Sequence, residues 1–87
     1  MKNFSYTITD PVGVHARPAG MLVKAAKPFS AAITLTCDKS GKTANAKNLL
    51  QVMSLGLQSG DSVSLTIDGT DESNAAAAIQ AFFEENL

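Results

Sequence analysis

The sequence predicts an α+β fold: an open-faced two-layer β-sandwich of order βαββαβα, with a four-stranded antiparallel sheet and three helices on one face. Three observations lead there. The segments Phe4–Thr9, Ile33–Cys37 and Val63–Ile67 each alternate apolar with hydroxyl residues, the period of a strand with one buried face. Between them lie runs with helical spacing. A sheet that is apolar on one side only takes its helices on that side and leaves the other wet. The third observation is length: 87 residues make one domain, 1–87, burying roughly 60–65% of the surface its unfolded chain exposes. Such a domain supports one core and no deep internal cavity, so chemistry is expected at the surface, completed by a partner.

The first strand, Phe4–Thr9, ends at Asp10-Pro11-Val12-Gly13, where proline and glycine break the alternation. From Ala16 to about Lys27 the spacing becomes helical, with Ala19, Leu22, Val23 and Ala26 on one face and Arg17, Lys24 and Lys27 on the other, Met21 and Gly20 near them. Pro18 sits in the first turn, where its missing N–H costs nothing, and Pro28 ends the helix. Ile33–Cys37 is the second strand, Asp38-Lys39-Ser40-Gly41 a hairpin turn, and Lys42–Lys47 a weakly apolar returning strand suited to a sheet edge. Asn48 is a good N-cap for a short helix over Leu49–Leu55, stopped by Gly56. Ser59-Gly60-Asp61 turns into the strand Val63–Ile67, and Asp68-Gly69 into a last helix over Asp71–Asn86. Its apolar face is Ala75, Ala78, Ile79 and Phe82, with Phe83 beside it. Asp71 and Glu72 suit the positive end of its dipole, whereas Glu84 and Glu85 oppose the negative end.

Composition removes several function classes. A net charge of −1 provides no basic field for nucleic acid or an anionic membrane. No apolar run approaches the ~18 residues of a membrane span, and Met1–Tyr6 lacks the apolar stretch of a signal peptide. The single cysteine, Cys37, makes no internal disulfide and reads as a small buried hydrophobe. These features lead to the expectation of a reducing, cytoplasmic setting. One histidine and one cysteine are too few for a metal site. Ser40-Gly41-Lys42-Thr43 echoes a P-loop, but the motif needs glycine where Thr36 stands and a helix where a strand follows. No cofactor is expected.

Gly13-Val14-His15-Ala16-Arg17-Pro18-Ala19 holds the only histidine, placed where a loop turns into a helix. Most lone histidines are ordinary surface residues; the helix start and the neighbouring Arg17 set this one apart. A free imidazole titrates near 6.5, so its neutral form is a competent nucleophile at physiological pH. Attack on a phosphoryl donor would give a phosphoimidazole. The N–H groups of Ala16 and Arg17 would point at the acquired phosphate, and the helix end adds partial positive charge. Arg17 offers a planar fork for two phosphate oxygens. Phosphoryl transfer is largely positioning plus charge stabilisation, so this small set suffices.

That heptapeptide resembles the active-site signature of the HPr family, the histidine-containing phosphocarriers of the bacterial phosphoenolpyruvate-dependent sugar phosphotransferase system. Lys47-Asn48-Leu49-Leu50-Gln51-Val52-Met53-Ser54-Leu55-Gly56 resembles the family's short-helix region, and length and element order agree over essentially the whole chain. The resemblance implies sheet order 1-4-2-3. It also implies a phosphocarrier intermediate rather than a stand-alone enzyme, in which His15 takes phosphate on Nδ1 from phosphorylated enzyme I and passes it to enzyme IIA domains. Arg17 would steady the phosphate. Leu49, Leu50 and Met53 would form an apolar docking patch near the histidine, with Ala16, Pro18, Asn48, Met21, Lys24 and Lys27 around it; an apolar centre with a basic rim suits acidic partners. Leu50 and Met53 could instead be core, although Val52 and Leu55 lie on the better side of the helix for that. A monomer is expected.

Asn48 departs from the family: many Gram-positive members carry a regulatory serine there, and an asparagine cannot be phosphorylated. The hairpin Asp38–Lys42 is also slightly longer than in common members. Two other readings stand beside the carrier: a regulatory binding module that uses the same surface without carrying phosphate, and a nitrogen-related paralogue. The presence of His15 argues against the first, and the choice of enzyme I would separate the second.

Overall fold

In the computed structural model, which describes residues 1–87, the alternating segments become strands β1 (Lys2–Thr7), β2 (Ala32–Cys37), β3 (Thr43–Asn45) and β4 (Ser62–Asp68). The helices are α1 (Ala16–Ala26), α2 (Leu49–Ser54) and α3 (Glu72–Asn86). All strand pairs are antiparallel, in the order β1-β4-β2-β3. The expected architecture and sheet order are therefore what the chain adopts.

Register explains the single covered face. Leu65 of β4 lies between Phe4 of β1 and Leu35 of β2, and Leu35 is opposite Ala44 of β3. Because the side-chain period is two, this row and those two residues away on either side point toward the helices, and the rows between them point away. Val63, Leu65, Ile67, Ile33 and Leu35 are almost wholly inaccessible and join a cluster of 23 buried residues. The other face carries Ser5, Thr7, Ser62, Ser64, Thr34 and Thr36 and has no helix over it. Its hydroxyls pair sparsely across strands, Ser5 with Ser64 at 3.5 Å and Thr7 with Ser62 at 3.4 Å.

Three element details differ from expectation. β1 starts at Lys2 rather than Phe4, because Lys2 and Asn3 still pair with Ile67 and Thr66. β3 is only three residues long. The last bond to β2 is from the Ala46 N–H to the Ile33 carbonyl, while the Asn45 carbonyl accepts the N–H of Asn48 and the Asn45 N–H donates to the Gln51 side chain. The outer edge of β3 is closed by the segment that leads into α2. In α3 the residue placed beside the apolar face is its centre: Phe83 is fully buried, and Ala78 is only partly covered. Ala75, Ile79 and Phe83 follow i, i+4, i+8 spacing, so the face turns toward Phe83. Its ring meets Phe4, Tyr6 and Phe82 with centroid separations of 6.5, 5.4 and 6.1 Å, within the range of favourable aromatic pairs.

Other expectations hold in detail. Asn48 caps α2 by accepting the Gln51 N–H at 3.1 Å, and Gly56 follows the helix at φ +62°. Val52 and Leu55 are buried, as is Cys37. Asp71, expected as the first residue of α3, stands just before it, and its carboxylate makes no cap there. Its two oxygens instead accept the N–H groups of Ser30 and Ala31, each at 2.9 Å. The carboxylate thus ties the β4–α3 turn to the start of β2. Gly69 lies so close to Ala31 that a Cβ there would sit 2.6 Å from its Cα.

The loop before α1 is fastened similarly. Gly13 has φ +79°, and a Cβ on it would fall 2.7 Å from the Leu57 carbonyl oxygen and 2.8 Å from the Gln58 Cα. Val14 next to it donates its N–H to the Leu57 carbonyl at 2.9 Å and buries its side chain.

Gly13→Ala should cost on the order of 3 kcal/mol in urea unfolding, since left-handed strain and backbone overlap combine. Gly41→Ala, at φ +75° with open space around the new methyl, should cost only about 1 kcal/mol. Equal losses would mean that the contact with Leu57 and Gln58 is unimportant. The Ser30 N–H, ahead of that of Ala31, holds the Asp71 carboxyl below its ordinary value. A lowered carboxyl stabilises the fold above its unfolded pKa of about 3.9 and loses that contribution as pH falls through the folded value. The stability gap between the unaltered protein and Asp71→Asn should accordingly be full at neutral pH and close in acid. A gap independent of pH would sink the assignment.

Candidate functional site

His15 occupies the N-cap position of α1 with extended backbone (φ −106°, ψ −170°), but its side chain makes no capping hydrogen bond. The imidazole is exposed and left unused by the fold. Its place is set from behind by the Gly13 and Val14 contacts with the 57–58 segment. In front of that anchor, the N–H of Gly13 donates to the Asp10 carbonyl, and the N–H of Val12 donates to the Asp10 carboxylate Oδ1 at 2.9 Å.

The start of α1 is uncapped, so its first donors stay unspent. Ala19 is the first residue to donate back, to the His15 carbonyl at 2.9 Å. Pro18 has no N–H to offer. The N–H groups of His15, Ala16 and Arg17 have no acceptor in the protein, so the positive end of the helix is uncompensated. Arg17 is exposed and forms no ion pair. His15, Arg17, Pro18 and Met21 share an open depression of about 310 Å³ with Asp10 and Asn86. An exposed imidazole and a free guanidinium in one depression, beside a helix start with free N–H groups, suit a small tetrahedral dianion.

The remaining nominated residues are dispersed along two helices. Ala16, Lys24 and Lys27 are exposed on α1. Pro18 lines the depression and is largely buried in the first turn of α1. On α2, Leu50 is 79% exposed, Leu49 and Met53 are 40% exposed, and Met21 of α1 is 43% exposed. These are four of the six large apolar side chains left open to water. The alternative that Leu50 and Met53 are core is thereby removed. α1 and α2 pack against each other. The Asn48 carbonyl oxygen Oδ1 is engaged by the Gln51 N–H.

Two residues at the depression escaped sequence reasoning. Asp10 reads locally as a turn residue, and only its five-residue distance from His15 hinted at more. Asn86 lies 71 positions away in the chain, at the end of a helix whose packing on β1 returns it to the site. No local pattern signals that return. Its side-chain amide donates to the Phe82 carbonyl at 3.0 Å.

Comparison with known proteins agrees with this fold. The family model described as PTS HPr component phosphorylation site matches residues 2–85. The phosphocarrier protein HPr of Mycoplasma genitalium is 43% identical over 86 residues, covering 99% of this chain and 97% of that protein. The solved histidine-containing phosphocarrier protein of a mycoplasma superposes with a TM-score of 0.90 at 37% identity, covering 97% of this chain and 93% of that one. HPr from Thermoanaerobacter tengcongensis gives 0.89 at 38% identity, covering 98% and 93%. That organism's HPr has also been solved as a dimer, with a TM-score of 0.74 over 98% of this chain and 95% of that one. No helix here is long and apolar enough to cross a membrane. With its sheet order, its helix-start histidine and a family match over nearly every residue, the chain belongs to the HPr phosphocarriers of the phosphotransferase system.

Proposed function

We propose that His15 is the residue that carries the phosphoryl group, taking it from phosphorylated enzyme I and giving it to enzyme IIA domains. The observation that carries this reading is the cluster of unspent donors around an exposed imidazole: three N–H groups at the start of α1 and the unpaired Arg17 guanidinium. A nitrogen lone pair of the neutral ring, Nδ1 by family resemblance, forms the new N–P bond as the donor's N–P bond breaks. The leaving imidazole keeps that electron pair, and no net proton moves. The free N–H groups and Arg17 then face the charge that arrives on the ring. An exposed helix terminus contributes only about 0.3–1 kcal/mol toward an anion, which holds the group without trapping it.

Docking is assigned to Leu49, Leu50, Met53 and Met21, with Ala16 and Pro18 at the site and Lys24, Lys27 and Asn48 at its margin. Exposed apolar side chains give a partner area to bury, and the α1 cations favour acidic surfaces. With Asn48 where many Gram-positive members have a regulatory serine, control by serine phosphorylation at that position is not part of this reading. The protein is taken to act as a cytoplasmic monomer.

Incubation with enzyme I and phosphoenolpyruvate should add one acid-labile, alkali-stable phosphate. His15→Ala should abolish it, while Arg17→Ala should accept label more slowly without weakening partner binding comparably. Label surviving on His15→Ala would reject the assignment. In an NMR titration with enzyme I, shifts should centre on His15, Arg17 and Leu49; shifts centred on the open sheet face would overturn the docking surface.

A further inference from the structure

The depression around His15 is not uniformly suited to an anion. Its rim joins one cationic side chain, Arg17, to one anionic side chain, Asp10. Asp10 is half-buried, and its Oδ1 is fixed by the Val12 N–H at 2.9 Å. The carboxylate is therefore a fixed charge on a stiff turn rather than a mobile surface group. It makes no ion pair with Arg17, so the guanidinium remains free to turn to phosphate. Beside Asp10, whose backbone N–H donates to the Leu87 carbonyl, the depression is also lined by Asn86 at the carboxyl end of α3, the end of a helix with negative polarity. Glu84 and Glu85 precede Asn86 where cations would suit that polarity. A phosphoryl group on His15 would meet attraction from the start of α1 and repulsion from the side of Asp10.

Resting on the assignment of His15 as the carrier, we propose that Asp10 sets the phosphoryl-transfer potential. Its fixed carboxylate opposes the charge acquired by His15, keeps the phosphorylated form from becoming a stable end state, and favours passage to the next acceptor. Asp10 touches neither bond that forms or breaks. It acts through the field at the phosphate, and like charges in a partly desolvated site oppose each other more than in bulk water.

The test separates charge from loop geometry. Asp10→Asn removes the charge but keeps an oxygen for the Val12 N–H; Asp10→Glu keeps the charge but disturbs the turn. Each variant is equilibrated with enzyme I at a fixed pyruvate to phosphoenolpyruvate ratio at which the unaltered protein is partly phosphorylated. The ratio of phosphorylated to free protein should rise about threefold in Asp10→Asn. That rise should shrink as salt is added, because the effect is a screened field. Asp10→Glu should stay near the unaltered value. An unchanged ratio in Asp10→Asn, or an equal change in Asp10→Glu, overturns the proposal. Failure of the unaltered protein to accept phosphate at His15 would instead reject the carrier assignment on which it rests.

Discussion

The contact between Gly13 and the backbone of Leu57 and Gln58 governs the whole upper end of the molecule. A methyl group would not fit between them, so two loops from distant parts of the sequence lie backbone against backbone. The Val14 N–H closes the junction on the Leu57 carbonyl, and the Val14 side chain fills the core below. A loop fastened on its inner side can leave its outer residue untethered. His15 is that residue, and its ring spends none of its hydrogen-bonding capacity on the fold. The same rigidity fixes the direction of α1, and with it the direction in which three free N–H groups aim.

Much of this was legible in the sequence, because the dominant signals are local or periodic. Alternating hydroxyl residues at Ser5, Thr7, Thr34, Thr36, Ser64 and Thr66 announce a sheet wetted on one side, and the spacing of Ala19, Leu22, Val23 and Ala26 announces a helix over its other side. Asn48 and Gly56 bracket α2 as cap chemistry requires. What escaped depends on contacts between remote segments. Asp71 looks like an acid of the first helical turn, but its carboxylate finds Ser30 and Ala31 some forty residues earlier. Phe83 looks peripheral on a helical wheel until β1 supplies Phe4 and Tyr6 to surround it. β3 looks like a six-residue strand until Asn48 and Gln51 claim the Asn45 backbone.

The candidate site divides in the same way. His15 and Arg17 are neighbours in sequence, so their partnership is visible without a fold. Asp10 and Asn86 enter only once the carboxyl end of α3 has been brought beside the loop; the N–H groups of Thr9 and Asp10 both donate to the Leu87 carbonyl there. A carrier differs from an enzyme in what its site must avoid. Deep enclosure and many charge-assisted contacts would make the phosphorylated state a sink. An open hollow with one guanidinium, nearby N–H donors and an anionic neighbour fits the loading and unloading proposed for His15.

The hydroxyl face of the sheet gives the molecule a back as well as a front. No apolar ridge lies across it, and its short side chains present mainly oxygen atoms that water satisfies readily. The exposed apolar side chains of α1 and α2 lie on the other side of the molecule. For an experimenter, this quiet side is the natural place to mount a dye, an anchor or a solid support, away from the depression that holds His15.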